Sequence, residues 1–355
     1  MHGERFYLLD LTLLKTISII LVVLGLSTTM VFEGSDGGAL ESFAMRIYKV
    51  SELLVIPLFV MISGYLHRMT RGEKGPKRRT ENEYIRRRSL ILLSSYLAFG
   101  VLTLCVQVLV GNVSPGEAPL EFLHRILLGV GPYHLWFILM LLWVALSYHY
   151  LERIFRNDAH LGLSVLLISV LSTFIPGILL QLKVAGLFLL IYYVGNMIRV
   201  LEVRKSSLVS MRSLPVSVLL FLFFLLFFFK VDIVGTFPPP LDNMVVELLR
   251  LSTSILGSIC VIITFRSLLR NVSAPRRFKR ILESVHSHIL GIYLFHLPVM
   301  LIFFWWTGSI QLPLLWSILL SFAFTLLVSY SLPVIIDMTY HALFGKDSAS
   351  REAGY

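Results

Sequence analysis

Ten runs of apolar residues, each about as long as a lipid bilayer is thick, follow one another along this chain of 355 residues. A helix needs about 20 mainly apolar residues to cross about 30 Å of hydrocarbon. Because backbone groups in lipid must satisfy their hydrogen bonds internally, these runs predict an all-α, polytopic integral membrane protein with ten transmembrane helices. The predicted spans are 9–32, 49–67, 89–110, 134–152, 160–176, 184–200, 214–236, 244–265, 286–306 and 313–335.

Composition agrees with this class, since 56% of the residues are hydrophobic, 15% are charged and the mean hydropathy is +0.81. The fifth and sixth runs are short, and Pro176 and Gly177 between them form either a tight external turn or a break in one longer helix. We expect a single transmembrane domain over residues 1–340 and a short cytoplasmic tail over residues 341–355.

Basic residues are concentrated in every second connection between the predicted spans. With the amino terminus in the cytoplasm, the cytoplasmic segments hold 24 of the 31 lysines and arginines, as the positive-inside rule requires. The net charge of +10 therefore reflects topology, and no nucleic-acid partner is expected, because no recognisable binding motif accompanies it. The cytoplasmic segments are 1–8, 68–88, 153–159, 199–213, 266–285 and 336–355, which places both termini in the cytoplasm.

The first span carries ionisable residues where lipid tolerates them least. Asp10 lies at its mouth and Lys15 about two turns inside, at a depth where a charge costs roughly 2.5–3.5 kcal/mol. The two residues are about 140° apart around a helix and therefore do not neutralise each other on one face. Two interpretations of Lys15 stay open: it lines a functional cavity, or it snorkels to the cytoplasmic interface about 10 Å away.

Metal and disulfide chemistry find no support in the sequence. Cys105 and Cys260 lie within predicted spans without a vicinal partner, so we interpret them as core-filling thiols. His286 and His288 are two residues apart and point in opposite directions on a helix. No metal site is expected.

Four local patterns occur in order over about 300 residues of the chain. They are the opening span Tyr7–Gly25 with Asp10 and Lys15, the segment Pro57–Tyr65 ending in Ser-Gly-Tyr, the sequence His134–Phe137, and the sequence Gly291–Pro298 with His296. In order and spacing they resemble the acyltransferase-3 family of membrane acyltransferases.

The resemblance implies transfer of an acyl group, often acetyl, from cytoplasmic acyl-coenzyme A to a hydroxyl of a surface or lipid-linked glycan. Acyl-coenzyme A is then the donor substrate, a glycan or lipid-linked saccharide the acceptor and membrane lipid the surrounding partner, with no metal. The resemblance also implies the plasma membrane of a prokaryote and modification of its cell envelope.

Leu26 departs from the resembling family, which has a histidine eleven residues after the basic residue of the first span. Eleven residues place Lys15 and Leu26 on one helix face about 16 Å apart. A positioned histidine contributes about 10²–10⁴-fold as a general base, which leucine cannot do. Three explanations stay open: another residue is the base, the chain is a non-catalytic relative that moves, holds or regulates a glycan or lipid in an export assembly, or residue 26 has been substituted.

Other polar residues in the spans are candidates for the site. We predict that His296, near mid-membrane, acts with Lys15 in catalysis, although a lone histidine in an apolar helix also occurs as a hydrogen-bonded core residue. Glu52, His134 and Trp136 are predicted to bind the acceptor; an interfacial anchor is the alternative for His134 and Trp136.

Six polar residues fall in the outer third of the predicted spans and could, with Lys15, line a polar path through the membrane. Glu247 and Arg250, three residues apart, are expected to pair on their own helix, as are Lys49 and Glu52. The six residues are Glu52, His134, Lys230, Asp232, Glu247 and Arg250.

The cytoplasmic loop 68–88 ends in three arginines that enter the third span. Guanidinium groups bind phosphates bidentately, and coenzyme A carries several phosphates, so we predict donor binding there. The match to the family is partial, since Ser95 and Tyr96 stand where it often has Pro-Tyr. The alternative is a basic loop that sets topology and meets anionic lipid. The predicted donor-binding residues are Arg86, Arg87 and Arg88.

The predicted topology can be tested by cysteine labelling in a background without Cys105 and Cys260. In intact cells, Gly75→Cys and Ser350→Cys should resist a membrane-impermeant maleimide, because both positions are predicted to be cytoplasmic. Asn112→Cys, in a predicted external loop, is the positive control. Labelling of position 75 or 350 from outside would contradict the topology.

Overall fold

The computed structural model describes residues 2–32, 39–72, 81–130, 133–175, 180–204, 214–230, 239–269, 275–308 and 313–344, and in these ranges it contains helices and connections but no strand. The all-α prediction is therefore confirmed for the described residues. The helices are α1 His2–Phe32, α2 Ala39–Gly72, α3 Glu81–Leu109, α4 Ala118–Glu121, α5 Trp136–Ile154, α6 Asp158–Ser172, α7 Leu182–Val203, α8 Leu214–Lys230, α9 Pro239–Leu269, α10 Arg276–Ser287, α11 Ile289–Thr307 and α12 Leu314–Phe344.

Eight helices of the described part are long and apolar enough to cross a membrane, namely α1, α2, α3, α5, α7, α9, α11 and α12. The fifth and seventh predicted spans coincide with α6, of 15 residues, and α8, of 17 residues. At 1.5 Å per residue these two helices are about 22 Å and 26 Å long, shorter than the hydrocarbon core. A helical membrane protein is therefore confirmed, and ten spans with both termini inside stays a prediction.

The helices α6 and α7 form an antiparallel hairpin, which decides between the two interpretations of the segment around Pro176. The Ser169 hydroxyl donates to the Gly186 carbonyl oxygen at 2.8 Å, and Gly162 lies against the side chain of Tyr193. These pairings run in opposite directions along the two helices. The short runs are thus two helices rather than one broken helix, while residues 176–179 themselves lie outside the described part.

A buried ionic cluster joins four helices at one end of the bundle. Arg266 of α9 lies 3.5 Å from Asp10 of α1 and also pairs with Glu202 of α7. The Tyr65 hydroxyl of α2 donates to Glu202 at 2.7 Å, and the Arg266 guanidinium lies 4.9 Å from the Tyr65 ring centroid. Asp10 thus pairs with Arg266 and not with Lys15. This agrees with the prediction that Asp10 and Lys15, about 140° apart around α1, do not neutralise each other.

The helices α2 and α7 cross at backbone contact because each carries a glycine there. A Cβ atom on Gly64 would lie 2.0 Å from the Tyr192 carbonyl oxygen, and one on Gly195 would lie 1.9 Å from the Met61 carbonyl oxygen. Small residues allow such close helix packing within membranes. The Ser-Gly-Tyr pattern of α2 therefore has a structural role. Gly64 allows α7 to pack closely, and the Tyr65 hydroxyl donates a hydrogen bond to Glu202 of α7.

Between α3 and α5 the chain folds back into the bundle as a re-entrant segment, described over residues 118–130 and 133–135 and made of α4, a π-helical turn and a 3₁₀ turn. Tyr96, halfway along α3, donates to the Ile126 carbonyl oxygen at 2.9 Å, and the Tyr293 hydroxyl donates to the His134 carbonyl oxygen. Irregular backbone at membrane depth is tolerated where it is buried in protein or lines a cavity. His134, expected at the mouth of the fourth span, lies at the start of the span Tyr133–Ile154, where this segment meets α5 and packs against α11.

The glycine crossing predicts a stability effect. Gly64→Ala should lower the free energy of unfolding by about 1–3 kcal/mol or more, because the new methyl group meets backbone and the helices must separate. Gly116→Ala is the control, since a Cβ there meets nothing within 4 Å. Thermal unfolding of both variants in detergent, followed by tryptophan fluorescence, measures the effect; equal midpoints would contradict the crossing.

Candidate functional site

One cavity of about 670 Å³ lies inside the bundle, between α1, α2, α3, α5, α10, α11 and the re-entrant segment. It joins most of the residues that the sequence singled out, although they are spread over nearly 300 positions. Those in its wall are Lys15, Leu26, Glu52, Arg88, His134, Trp136 and His296, together with His286 and Tyr293.

The end of this cavity that the predicted topology assigns to the cytoplasmic side, here called its inner end, is cationic. Lys15 is half-buried, and Arg88 and His286 lie close enough to interact with its charge. Among the residues that the structure describes, no carboxylate forms an ion pair with Lys15. Of the two interpretations of Lys15, the structure favours the one in which it lines a cavity.

His286 lies at the end of α10, just before the α11 span, which begins at Ile289 in the structure rather than at the predicted residue 286. It is a neutral member of this inner group. Burial, and after it the charge of Lys15, lowers the pKa of His286 to about 4. Its imidazole is therefore unprotonated at neutral pH and adds hydrogen-bonding capacity without charge. Sequence reasoning considered His286 only as a metal ligand and missed its position beside Lys15.

The middle of the cavity is apolar on the face of α1 that carries Lys15. Ile19, Val22 and Leu26 all lie in the wall, opposite Phe59 and Leu297. The prediction that Lys15 and Leu26 share one face of the helix is thus confirmed. Leu26 packs among apolar neighbours and supplies no proton acceptor at this level.

Two histidines meet beyond this apolar stretch. The ring centroids of His134 and His296 are 4.9 Å apart, and the ring planes are nearly perpendicular at 87°. The Nε2 atom of His134 lies 3.2 Å from the Leu294 carbonyl oxygen, and the Nδ1 atom of His296 bonds to the Tyr293 carbonyl oxygen. Sequence reasoning considered the two histidines separately, because only the re-entrant segment brings them together.

The hydrogen bonds of these histidines define their proton positions. A carbonyl oxygen only accepts, so the two bonded nitrogens carry the hydrogens. In the neutral rings, His134 Nδ1 and His296 Nε2 are then the unprotonated atoms. His134 Nδ1 is buried and has no hydrogen-bond partner in the described part of the chain. The pair therefore holds two unprotonated ring nitrogens on neighbouring side chains of one cavity wall.

Only one of the three predicted donor-binding arginines reaches this cavity. Arg88 lies in its wall, whereas Arg86 lines a separate groove between α3 and α5, and Arg87 lines neither. Successive residues of a helix point 100° apart, so three consecutive arginines cannot face one site. The structure therefore brings one residue of the triplet, Arg88, to this cavity, and residues 73–80 of the loop lie outside the described part.

At the opposite end, which the predicted topology assigns to the external side, the cavity adjoins an outer pocket of about 360 Å³, and Glu52 and Trp136 line both. Arg250 pairs with Glu52 at 3.5 Å, and Lys183 pairs with Glu247 at 3.6 Å. The expected pairs within one helix, Glu247 with Arg250 and Lys49 with Glu52, are therefore wrong, because neighbouring helices supply closer partners. Asp232 and the side chain of Lys230 lie outside the described residues.

Comparison with known proteins gives one match. The model of the acyltransferase-3 family, described as an acyltransferase domain, matches residues 8–334. The match therefore includes every helix that lines the cavity. No curated protein and no solved structure matches the chain.

Proposed function

From the premise that this chain belongs to the acyltransferase-3 family, we propose that it transfers an acyl group from cytoplasmic acyl-coenzyme A to a hydroxyl of a surface or lipid-linked glycan. The observation that carries the proposal is the single cavity that joins a cationic inner end to a histidine pair and to a polar outer pocket. A plasma membrane location in a prokaryote and an acetyl group as cargo are parts of the same proposal.

The donor binds from the inner end. Lys15 and Arg88 contact phosphate oxygens of coenzyme A, because ammonium and guanidinium groups form strong charge-assisted hydrogen bonds to phosphate. The pantetheine arm lies along the apolar face of α1, past Ile19 and Val22. Three turns of helix, about 16 Å, separate Lys15 from the level of Leu26 and bring the thioester toward the histidines.

The acceptor approaches from the outer pocket. Trp136 offers an apolar ring face to a sugar, and the carboxylate of Glu52 accepts hydrogen bonds from sugar hydroxyls. Both side chains line the outer pocket as well as the cavity that holds the histidine pair. A hydroxyl bound there reaches His296 without crossing lipid.

His296 then serves as the general base that Leu26 cannot be. Its unprotonated Nε2 atom takes the proton of the acceptor hydroxyl while the hydroxyl oxygen attacks the thioester carbonyl carbon. The carbon–sulfur bond breaks, and the imidazolium returns the proton to the departing thiolate of coenzyme A. His134 stands beside His296 and completes the polar surface around the reacting atoms.

Leu26 itself favours a second candidate function. A relative that has lost its first-span histidine without replacing it would bind a glycan or lipid and move, hold or regulate it within an export assembly. The apolar wall around Leu26 is the observation that supports this alternative.

Donor binding tests the role of Lys15. Lys15→Met should weaken acyl-coenzyme A binding by about 10-fold or more, since a charge-assisted hydrogen bond contributes about 1.5–3 kcal/mol. Lys49→Met, which removes an exposed lysine outside the cavity wall, is the control. Isothermal titration of the purified variants measures the affinities, and an unchanged affinity for Lys15→Met would favour the snorkelling interpretation.

Acyl transfer tests the base. His296→Ala should lower transfer from labelled acyl-coenzyme A to membrane glycans by about 10²-fold or more, with donor binding retained. His160→Ala, at an exposed position, should transfer normally.

Leu26→His separates the two candidate functions. If the wild-type protein is inactive and Leu26→His transfers an acyl group, the chain has lost its base and the second candidate holds for the natural protein. If neither protein transfers an acyl group although both bind the donor, the enzymatic proposal is wrong.

A further inference from the structure

A third cavity, which holds neither substrate in the proposed reaction, lies between α3 and α5. It is a groove of about 690 Å³ whose floor is formed by buried residues, among them Tyr96, Ile126 and Leu142. Its rim on α3 is formed by Leu90, Leu93 and Leu97, which are 57%, 41% and 38% exposed. In a membrane-spanning helix, large exposed apolar side chains face lipid, so this groove opens sideways into the bilayer.

Two arginines lie at one end of the groove. Arg86 stands at the start of the α3 span and Arg153 at the end of the α5 span, and both are exposed. Within the described residues, neither guanidinium has a carboxylate within 4 Å. Both lie in segments that the basic-residue distribution assigns to the cytoplasmic side, at the level of the lipid headgroups.

The length of the groove corresponds to one leaflet. From Arg86 to Leu97 the α3 helix rises about 16 Å, while half of the hydrocarbon core is about 15 Å thick. At its far end the groove is closed by Ile126 and Leu127 of the re-entrant segment and by Leu180. A lipid chain that enters at the headgroup level would therefore end at the bilayer midplane.

We propose that this groove is a binding site for an anionic phospholipid of the cytoplasmic leaflet. The phosphate binds between Arg86 and Arg153, since guanidinium groups pair with phosphate oxygens bidentately. One acyl chain lies along the leucines of α3 and ends against the re-entrant segment. The bound lipid thereby supports the segment that carries His134, because Tyr96 on the groove floor holds that segment through the Ile126 carbonyl.

The proposal also accounts for the division of the arginine triplet. Arg88 turns inward to the cavity with Lys15, while Arg86 turns outward to the groove. The two interpretations of the basic loop that the sequence left open then both apply. Arg88 binds phosphate within the cavity, and Arg86 binds anionic lipid at the surface that faces the bilayer.

Native mass spectrometry of the purified protein tests the site, with phosphatidylglycerol and phosphatidylcholine of identical acyl chains as probes. The wild-type protein should bind phosphatidylglycerol at least about 10-fold more tightly than phosphatidylcholine. The double variant Arg86→Gln/Arg153→Gln should lose this preference. Arg156→Gln, an exposed arginine three residues beyond Arg153 and outside the groove wall, should keep it.

A second variant separates groove binding from surface charge. Leu93→Trp fills the groove while both arginines remain, and as a lipid-facing change it should leave the thermal unfolding midpoint without lipid nearly unchanged. Added phosphatidylglycerol should raise the thermal unfolding midpoint of the wild-type protein, and Leu93→Trp should abolish this rise.

Four results would overturn the proposal. The first is equal binding of the two lipids by the wild-type protein, and the second is an unchanged lipid preference in the double variant. The third is a loss of this preference in Arg156→Gln as large as in the double variant. The fourth is a dimer of the protein that dissociates in Leu93→Trp but persists when phosphatidylglycerol is added. The last result would assign the groove to a second copy of the chain.

Discussion

Asp10 of α1 and Arg266 of α9 face each other inside the bundle, where a charge without a partner would cost several kcal/mol. Arg266 also pairs with Glu202, and Glu202 accepts a hydrogen bond from Tyr65, so α1, α2, α7 and α9 are joined at one end. This cluster orients α1 about its axis. Because Lys15 follows Asp10 by five residues, the same rotation that turns Asp10 to Arg266 turns Lys15 toward the cavity.

The re-entrant segment imposes a second constraint on the architecture. Its irregular backbone enters the bundle, and side chains and carbonyls of the neighbouring helices bond to it through Tyr96, Tyr293 and Leu294. These bonds place His134 beside His296 and close the far end of the lipid-facing groove. One segment thus contributes residues to the walls of both cavities.

The position of the histidine pair bears directly on the meaning of Leu26. In the resembling family the first span carries the histidine, whereas in this chain the cavity wall at that level is apolar and two imidazoles stand elsewhere in the same cavity. In the proposed reaction this pair supplies the proton acceptor that α1 does not. Glu52 and Trp136 line this cavity and also the outer pocket, so the proposed donor and acceptor would reach the histidines by separate routes.

Much of the architecture could be predicted from the sequence, since it follows from short-range rules. Apolar run length indicated the helices, and the spacing of Lys15 and Leu26 placed them on one helix face. Partners across helices could not be predicted in this way. Glu247 and Arg250 have i,i+3 spacing, yet Lys183 and Glu52 are their partners. Of three adjacent arginines, only Arg88 faces the cavity, because the rotation of α3 is set by its packing.

The sequence by itself determined the class of protein, its helices and the residues with chemical potential, because these depend on composition and on periodicity along one helix. The tertiary structure alone decided that His134 lies beside His296, 162 residues further along the chain. That contact depends on a segment that folds back into the membrane domain, and its hydrogen-bond partners, Tyr96 and Tyr293, come from distant helices. No local pattern contains that information, because the energy of the arrangement is shared among contacts far apart in sequence.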